Sequence, residues 1–117
     1  MIPATIDAAY VVERLEEAGR TLMALPSNAP QLGQRVRLRR PDAATIARMK
    51  EAHGWLLLIG NQSIRKIVGM RSIVTYATGD PAYSWVQIGR IANADYRTVQ
   101  GWYAEALETI VGKLASS

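Results

Sequence analysis

The chain contains no cysteine and no phenylalanine. Without thiols there is no disulfide, no thiolate metal site and no cysteine nucleophile, a pattern that fits a reducing compartment and an expected cytoplasmic location. Without Phe, the aromatic content rests on five Tyr and three Trp, rings whose polar handle needs a partner when buried. Long apolar runs are missing as well. Trp55 to Ile59 stops at five residues, far short of the ~20 that span a bilayer, and Met1-Ile2-Pro3-Ala4 carries no basic leader, so neither a membrane span nor a secretory signal is expected. The single histidine, His53, has no Asp or Glu at metal-site spacing, which makes helix packing its expected role. Glu13 and Glu17, four residues apart, lack a histidine and stand among other charges as a surface stripe. With no phosphate-cradling glycine loop either, no catalytic residue, metal or cofactor is expected, and the protein is not expected to be an enzyme.

What is present is enough to fold. At 117 residues, 49 % hydrophobic and 21 % charged, the chain reads as one domain, 1–117, with a real core. The net charge of +4 is unevenly spread: residues 1–25 carry −2, 26–50 carry +5, 51–75 carry +2 and 76–117 carry −1. Arg35, Arg37, Arg39 and Arg40 fall within six residues, after Pro26-Ser27-Asn28-Ala29-Pro30. The prolines and small polar residues mark 26–41 as a basic loop, either simply solvated or touching a polyanion.

The remaining segments carry helical periodicity, which predicts an all-α fold of about five helices, an N-terminal bundle followed by a C-terminal motif. The first helix is expected over 6–25, with Thr5 as its N-cap, Pro26 as its stop, Ala8, Leu15, Ala18 and Leu22 inward, and Asp7, Glu13, Arg14, Glu16, Glu17 and Arg20 on the solvated face. A second helix is expected from Asp42 to Ile59. A third runs from an Asn61 N-cap to about Thr75, and Gly79-Asp80-Pro81 then makes a turn. Only Val36 to Leu38 alternates as a strand would.

Residues 84–112 are the specific part. Ser84 and Gln87 have the spacing of a capping box, opening a short helix through Ile91 that contains the small Gly89. Asn93 is expected at positive φ, where Asn substitutes for Gly in a tight helix-to-helix turn. Asp95 then caps a helix from Tyr96, with Val99, Trp102, Ala106 and Ile110 facing inward. Trp85 and Trp102 are assigned to core packing in preference to base stacking. Together these features spell a helix-turn-helix.

Through Trp85, Ile88, Gly89, Asn93, Thr98, Val99, Trp102 and Leu107 this segment resembles the helix-turn-helix of sigma-factor region-four-like regulators, departing from it in carrying Asn93 where Gly is common. The order Val11-Val12-Glu13-Arg14-Leu15-Glu16-Glu17-Ala18, the basic linker, Gly54-Trp55-Leu56-Leu57 and the terminal Trp motif also resembles small helix-turn-helix proteins of alphaproteobacterial and phage genomes. That second resemblance implies a fold and a phage or mobile-element setting, not an activity.

A helix-turn-helix places its second helix in the major groove of double-stranded DNA, with the first turns at the base edges. Here that recognition helix is 96–112. Arg97 is expected to fork to guanine, Gln100 to pair with adenine, and Tyr96 to meet a phosphate or a thymine methyl. Ser84, Arg90 and Thr98 are expected phosphate contacts, and Tyr103 a groove-edge residue. Because Glu105 and Glu108 leave 76–117 net negative, additional positive charge is expected from Arg35, Arg37, Arg39 and Arg40, together with Arg65, Lys66 and Arg71. The expected function is a sequence-specific transcriptional regulator acting as a homodimer, with RNA polymerase or another regulator as a further candidate partner. Two other roles fit the same residues: a protein-interaction adaptor that keeps the motif as scaffold, and a small DNA-packaging subunit.

Overall fold

Asp7, not Thr5, starts the first helix. The Asp7 carboxylate accepts a hydrogen bond from the Tyr10 N–H at 2.9 Å and caps α1, Ala8–Ala24. The computed structural model describes residues 6–25, 41–74 and 78–116, so Thr5, Pro26 and the Val36 to Leu38 alternation lie outside the described residues. Val11, Leu15 and Ala18 are buried along α1. Arg14, expected on the solvated face, is 4 % exposed. It lies against the Trp55 ring, 4.9 Å from the centroid, and donates to the Tyr10 hydroxyl at 2.9 Å, the Arg48 carbonyl at 3.2 Å and the Glu51 carboxylate at 2.8 Å. A flat guanidinium can bury its faces on rings while its terminal nitrogens remain hydrogen-bonded, and this brings it inside, with Nε buried and without a hydrogen-bond partner among the described residues.

The second helix, α2, spans Ala43–Trp55, with Asp42 accepting from the Thr45 N–H at 2.8 Å as its cap. The Arg14–Glu51 and Glu17–Arg48 pairs, both 2.8 Å, set it antiparallel to α1. The α-helix was expected to reach Ile59. It tightens instead into a 3-10 turn at Leu56–Leu58, with Ile59 extended. Arg65 closes the corner by donating to the Ile59 carbonyl from Nε at 3.3 Å and from a terminal nitrogen at 2.8 Å. Lys113 donates to the Leu58 carbonyl at 2.9 Å. The tightened turn buries Ile59 and leaves Leu57 71 % exposed.

Helix α3, Gln62–Ser72, starts at the expected cap, Asn61, which accepts from the Ile64 N–H at 3.1 Å. It ends short of Thr75 because Ile73 turns extended and Val74 forms an isolated antiparallel bridge with Pro81. The Ile73 carbonyl is thereby paired with the Ala82 N–H at 2.9 Å. Val74 is buried, but in this bridge and not on a helical face. Gly19 of α1 sits directly on the Ser72 carbonyl, where any side chain would collide, so α1 and the end of α3 are in backbone contact.

Helices α4, Trp85–Ala92, and α5, Tyr96–Ser116, complete an all-α fold with five α-helices among the described residues. There are two clusters of buried apolar residues. The larger joins Val11, Leu15 and Ala18 to Met49, Ala52, Ile59, Val68, Ala106, Leu107 and Ile110; the smaller holds Ile67, Ile88 and Val99, with Trp85 and Trp102 packed against it. Helix α5 passes through both, so its first turns are fixed by the small cluster and its remainder by the bundle. No helix among the described residues is long and apolar enough to cross a membrane.

Candidate nucleic-acid interface

Helix α4, the turn after it and the start of α5 carry the local features that their residue order predicts. Ser84 Oγ accepts from the Gln87 N–H at 3.1 Å, and Gln87 Oε1 accepts from the Ser84 N–H at 2.8 Å, a complete capping box. Asn93 is left-handed, with φ 56° and ψ 46°, and is the one non-glycine residue at positive φ among those described. The turn closes with the Ala94 N–H donating to the Gly89 carbonyl at 2.9 Å. Asp95 Oδ1 accepts from the Arg97 N–H at 2.8 Å and starts α5. Val99, fully buried, fixes which side of α5 faces inward.

That rotation leaves Tyr96, Arg97, Thr98 and Gln100 exposed at the positive end of α5, together with Arg90 on α4. Ser84 is also exposed, but its hydroxyl accepts a backbone hydrogen bond in the cap and has only its proton to offer a phosphate. Arg35, Arg37, Arg39 and Arg40 lie outside the described residues.

Three expectations nearby need correction. Arg65 is committed to the Ile59 carbonyl. Arg71 places its guanidinium 4.1 Å from the Trp85 ring centroid and donates to the Tyr83 carbonyl at 2.9 Å, so it braces α4 against α3. Of that basic trio only Lys66 is exposed. Tyr103, expected at the groove edge, is half-buried with its ring edge-on to Trp85 at 5.1 Å, and burial pushes its phenol pKa up. The two tryptophans stay in the core role assigned to them, half-buried against the small cluster.

The chain matches no protein-family model, no curated protein and no solved structure.

Three features of this surface left no periodic signal. Val86, Gly89, Arg90, Asn93, Ala94, Asp95 and Tyr96 line a shallow cleft of about 460 Å³ between α4 and the start of α5. Val86 and Ile91 are exposed, at 48 % and 55 %. Arg97 Nε donates to the Tyr96 hydroxyl oxygen at 3.2 Å, with its guanidinium carbon 5.6 Å from the ring centroid. Neighbouring positions on a helix point about 100° apart, so helical spacing gives no hint of such a pair. No three His, Asp or Glu side chains converge as a metal site among the described residues.

Proposed function

We propose that this protein is a sequence-specific DNA-binding transcriptional regulator whose helix α5 enters the major groove. The observation that carries this is the exposed row Tyr96, Arg97 and Gln100 on the first turns of a helix held from behind by the buried Val99. Arg97 and Gln100 have the donor and acceptor geometry to read guanine and adenine, and Thr98 and Arg90 flank them at positions suited to phosphate. The mixed charge of the motif makes the arginines of 26–41 the natural source of additional backbone affinity. Binding as a homodimer would double the contacts and call for a palindromic site. The resemblance supports a phage or mobile-element setting, and the lack of cysteine fits a cytoplasmic location.

The test is retention of random DNA fragments by the purified chain at low and high salt, followed by sequencing. The wild type is expected to bind all fragments in a salt-sensitive way and to enrich one sequence. Arg97→Ala with Gln100→Ala is expected to keep the salt-sensitive binding and lose the enrichment, because phosphate contacts survive while base contacts do not. A wild type that retains no DNA at low salt overturns the proposal.

One observation favours a second role. The exposed Val86 and Ile91 of α4 offer apolar contact that a polyanion does not need. An adaptor docking on RNA polymerase or another regulator through α4 would use them, and would give the no-DNA outcome in the same experiment.

A further inference from the structure

We propose that Tyr96 is a positioning residue for Arg97, holding its guanidinium so that the two terminal nitrogens meet guanine end-on. This rests on the DNA-binding role proposed above. The Arg97 backbone is tied through its N–H to Asp95, and the side chain is tied a second time where Nε donates to the Tyr96 hydroxyl oxygen at 3.2 Å. The Tyr96 backbone runs so close to α4 that a Cβ on Gly89 would sit 3.4 Å from the Tyr96 nitrogen, and the residue lines the cleft beside Val86 and Asn93.

An arginine can fork to guanine in two ways, side-on through Nε and one terminal nitrogen, or end-on through both terminal nitrogens. With Nε engaged by the phenol, the end-on fork remains, and its terminal nitrogens have no protein partner among the described residues. Guanine offers two adjacent acceptors, O6 and N7, on its major-groove edge, and adenine offers only one beside a donor. The pair therefore selects guanine. It also favours arginine, because a lysine ammonium can reach O6 and N7 but has neither the Nε that the phenol holds nor the planar fork. Ordering the side chain before binding reduces the rotamer entropy lost on contact.

The experiment reads base preference in the free chain's selected DNA, at the position whose preference Arg97→Ala abolishes. Tyr96→Phe keeps the ring and removes the acceptor. It is expected to lower guanine preference there by about three- to tenfold, the scale of one net hydrogen bond, with melting temperature and salt dependence unchanged. Arg97→Lys is expected to keep only a weaker guanine preference that no longer responds to Tyr96→Phe, and Tyr96→Phe with Arg97→Ala to match Arg97→Ala alone. A Tyr96→Phe chain that keeps full guanine preference overturns the inference, as does a loss that adds to that of Arg97→Ala, which would make Tyr96 an independent contact. NMR of the Arg97 Nε–H in the free protein checks the contact without DNA: exchange with water is expected to be slowed in the wild type and to quicken in Tyr96→Phe. Unchanged exchange defeats the positioning role even where DNA binding stands, whereas a slow wild-type Nε–H in a chain that selects no DNA defeats the regulator role and with it the selection of guanine.

Discussion

Gly89 and Ala94 meet backbone to backbone across the turn between α4 and α5. The Gly89 carbonyl accepts from the Ala94 N–H at 2.9 Å, and a Cβ on Gly89 would stand 2.7 Å from the Ala94 carbonyl oxygen. The blocking atom is main chain and cannot rotate away. Gly89→Ala is therefore expected to force the turn open and to cost about 1 to 3 kcal/mol, in spite of the better helix propensity of alanine. Urea unfolding followed by Trp fluorescence measures this. Gly89→Val, with two more methyls at the same contact, is expected to cost more.

Asn93 supplies the left-handed residue that the turn requires, with φ 56°. Asn93→Gly removes the steric cost of that conformation and is expected to raise stability by up to about 1 kcal/mol, while Asn93→Ala is expected to lower it by about 1 kcal/mol. Thermal unfolding of the two variants should bracket the wild type. If Asn93→Ala were as stable as Asn93→Gly, positive φ would not be the reason for Asn at this position.

The caps at Asn61, Ser84 and Asp95 and the turn at Asn93 were legible in the residue order because each is decided within four residues by backbone N–H groups that need a local acceptor. What was not legible depends on distant neighbours. Arg14 looks like a surface charge until Trp55 and Glu51 arrive from α2. Arg65 and Arg71 look like a basic patch until the Ile59 and Tyr83 carbonyls are found to hold them. The 3-10 turn after Trp55 likewise answers to Arg65 and to Lys113, the latter 55 positions away from the Leu58 carbonyl it binds. Exposure of Tyr96, Arg97 and Gln100 was foreseeable because helical phase follows directly from the burial of Val99. The Tyr96–Arg97 contact was not, because it depends on rotamers that periodicity does not carry.

Arg71 joins α3 to α4 by stacking on Trp85 and donating to the Tyr83 carbonyl. Arg71→Met keeps much of the apolar stem but loses the cation over the ring and leaves that carbonyl without its donor, an expected cost of about 1 to 3 kcal/mol. Arg71→Lys is expected to recover less than half of this, since an ammonium does not stack flat and donate sideways at once. Because this guanidinium is engaged inside the protein, the salt dependence of the proposed DNA binding is expected to be the same in Arg71→Met as in the wild type. Blue or red shifts in Trp85 emission report the change of environment.

His53 lies on the wall of a cleft between α1 and α3 with Leu15, Leu56 and Met70, and burial holds its pKa below the usual 6.5. Arg65 and Lys66 line the same cleft, so the imidazole faces no acidic partner there that would favour its charged form. In the unfolded chain the imidazole takes up a proton at about 6.5, in the folded chain only at lower pH, so between those two values the unfolded state binds more protons. The stability associated with neutral His53 is therefore complete above pH 6.5 and is lost as the pH falls toward the folded value. Glu17 acts in a separate and lower window. The hydrogen bond from Arg48 holds its carboxyl below 4.5, so its contribution is complete above 4.5 and fades only under stronger acid. The melting temperature is expected to decline in two steps on acidification. His53→Gln should remove the first step and leave the second, and Glu17→Gln the reverse. A His53→Gln chain that still loses stability as the pH first falls below 6.5 would place that proton uptake on another group.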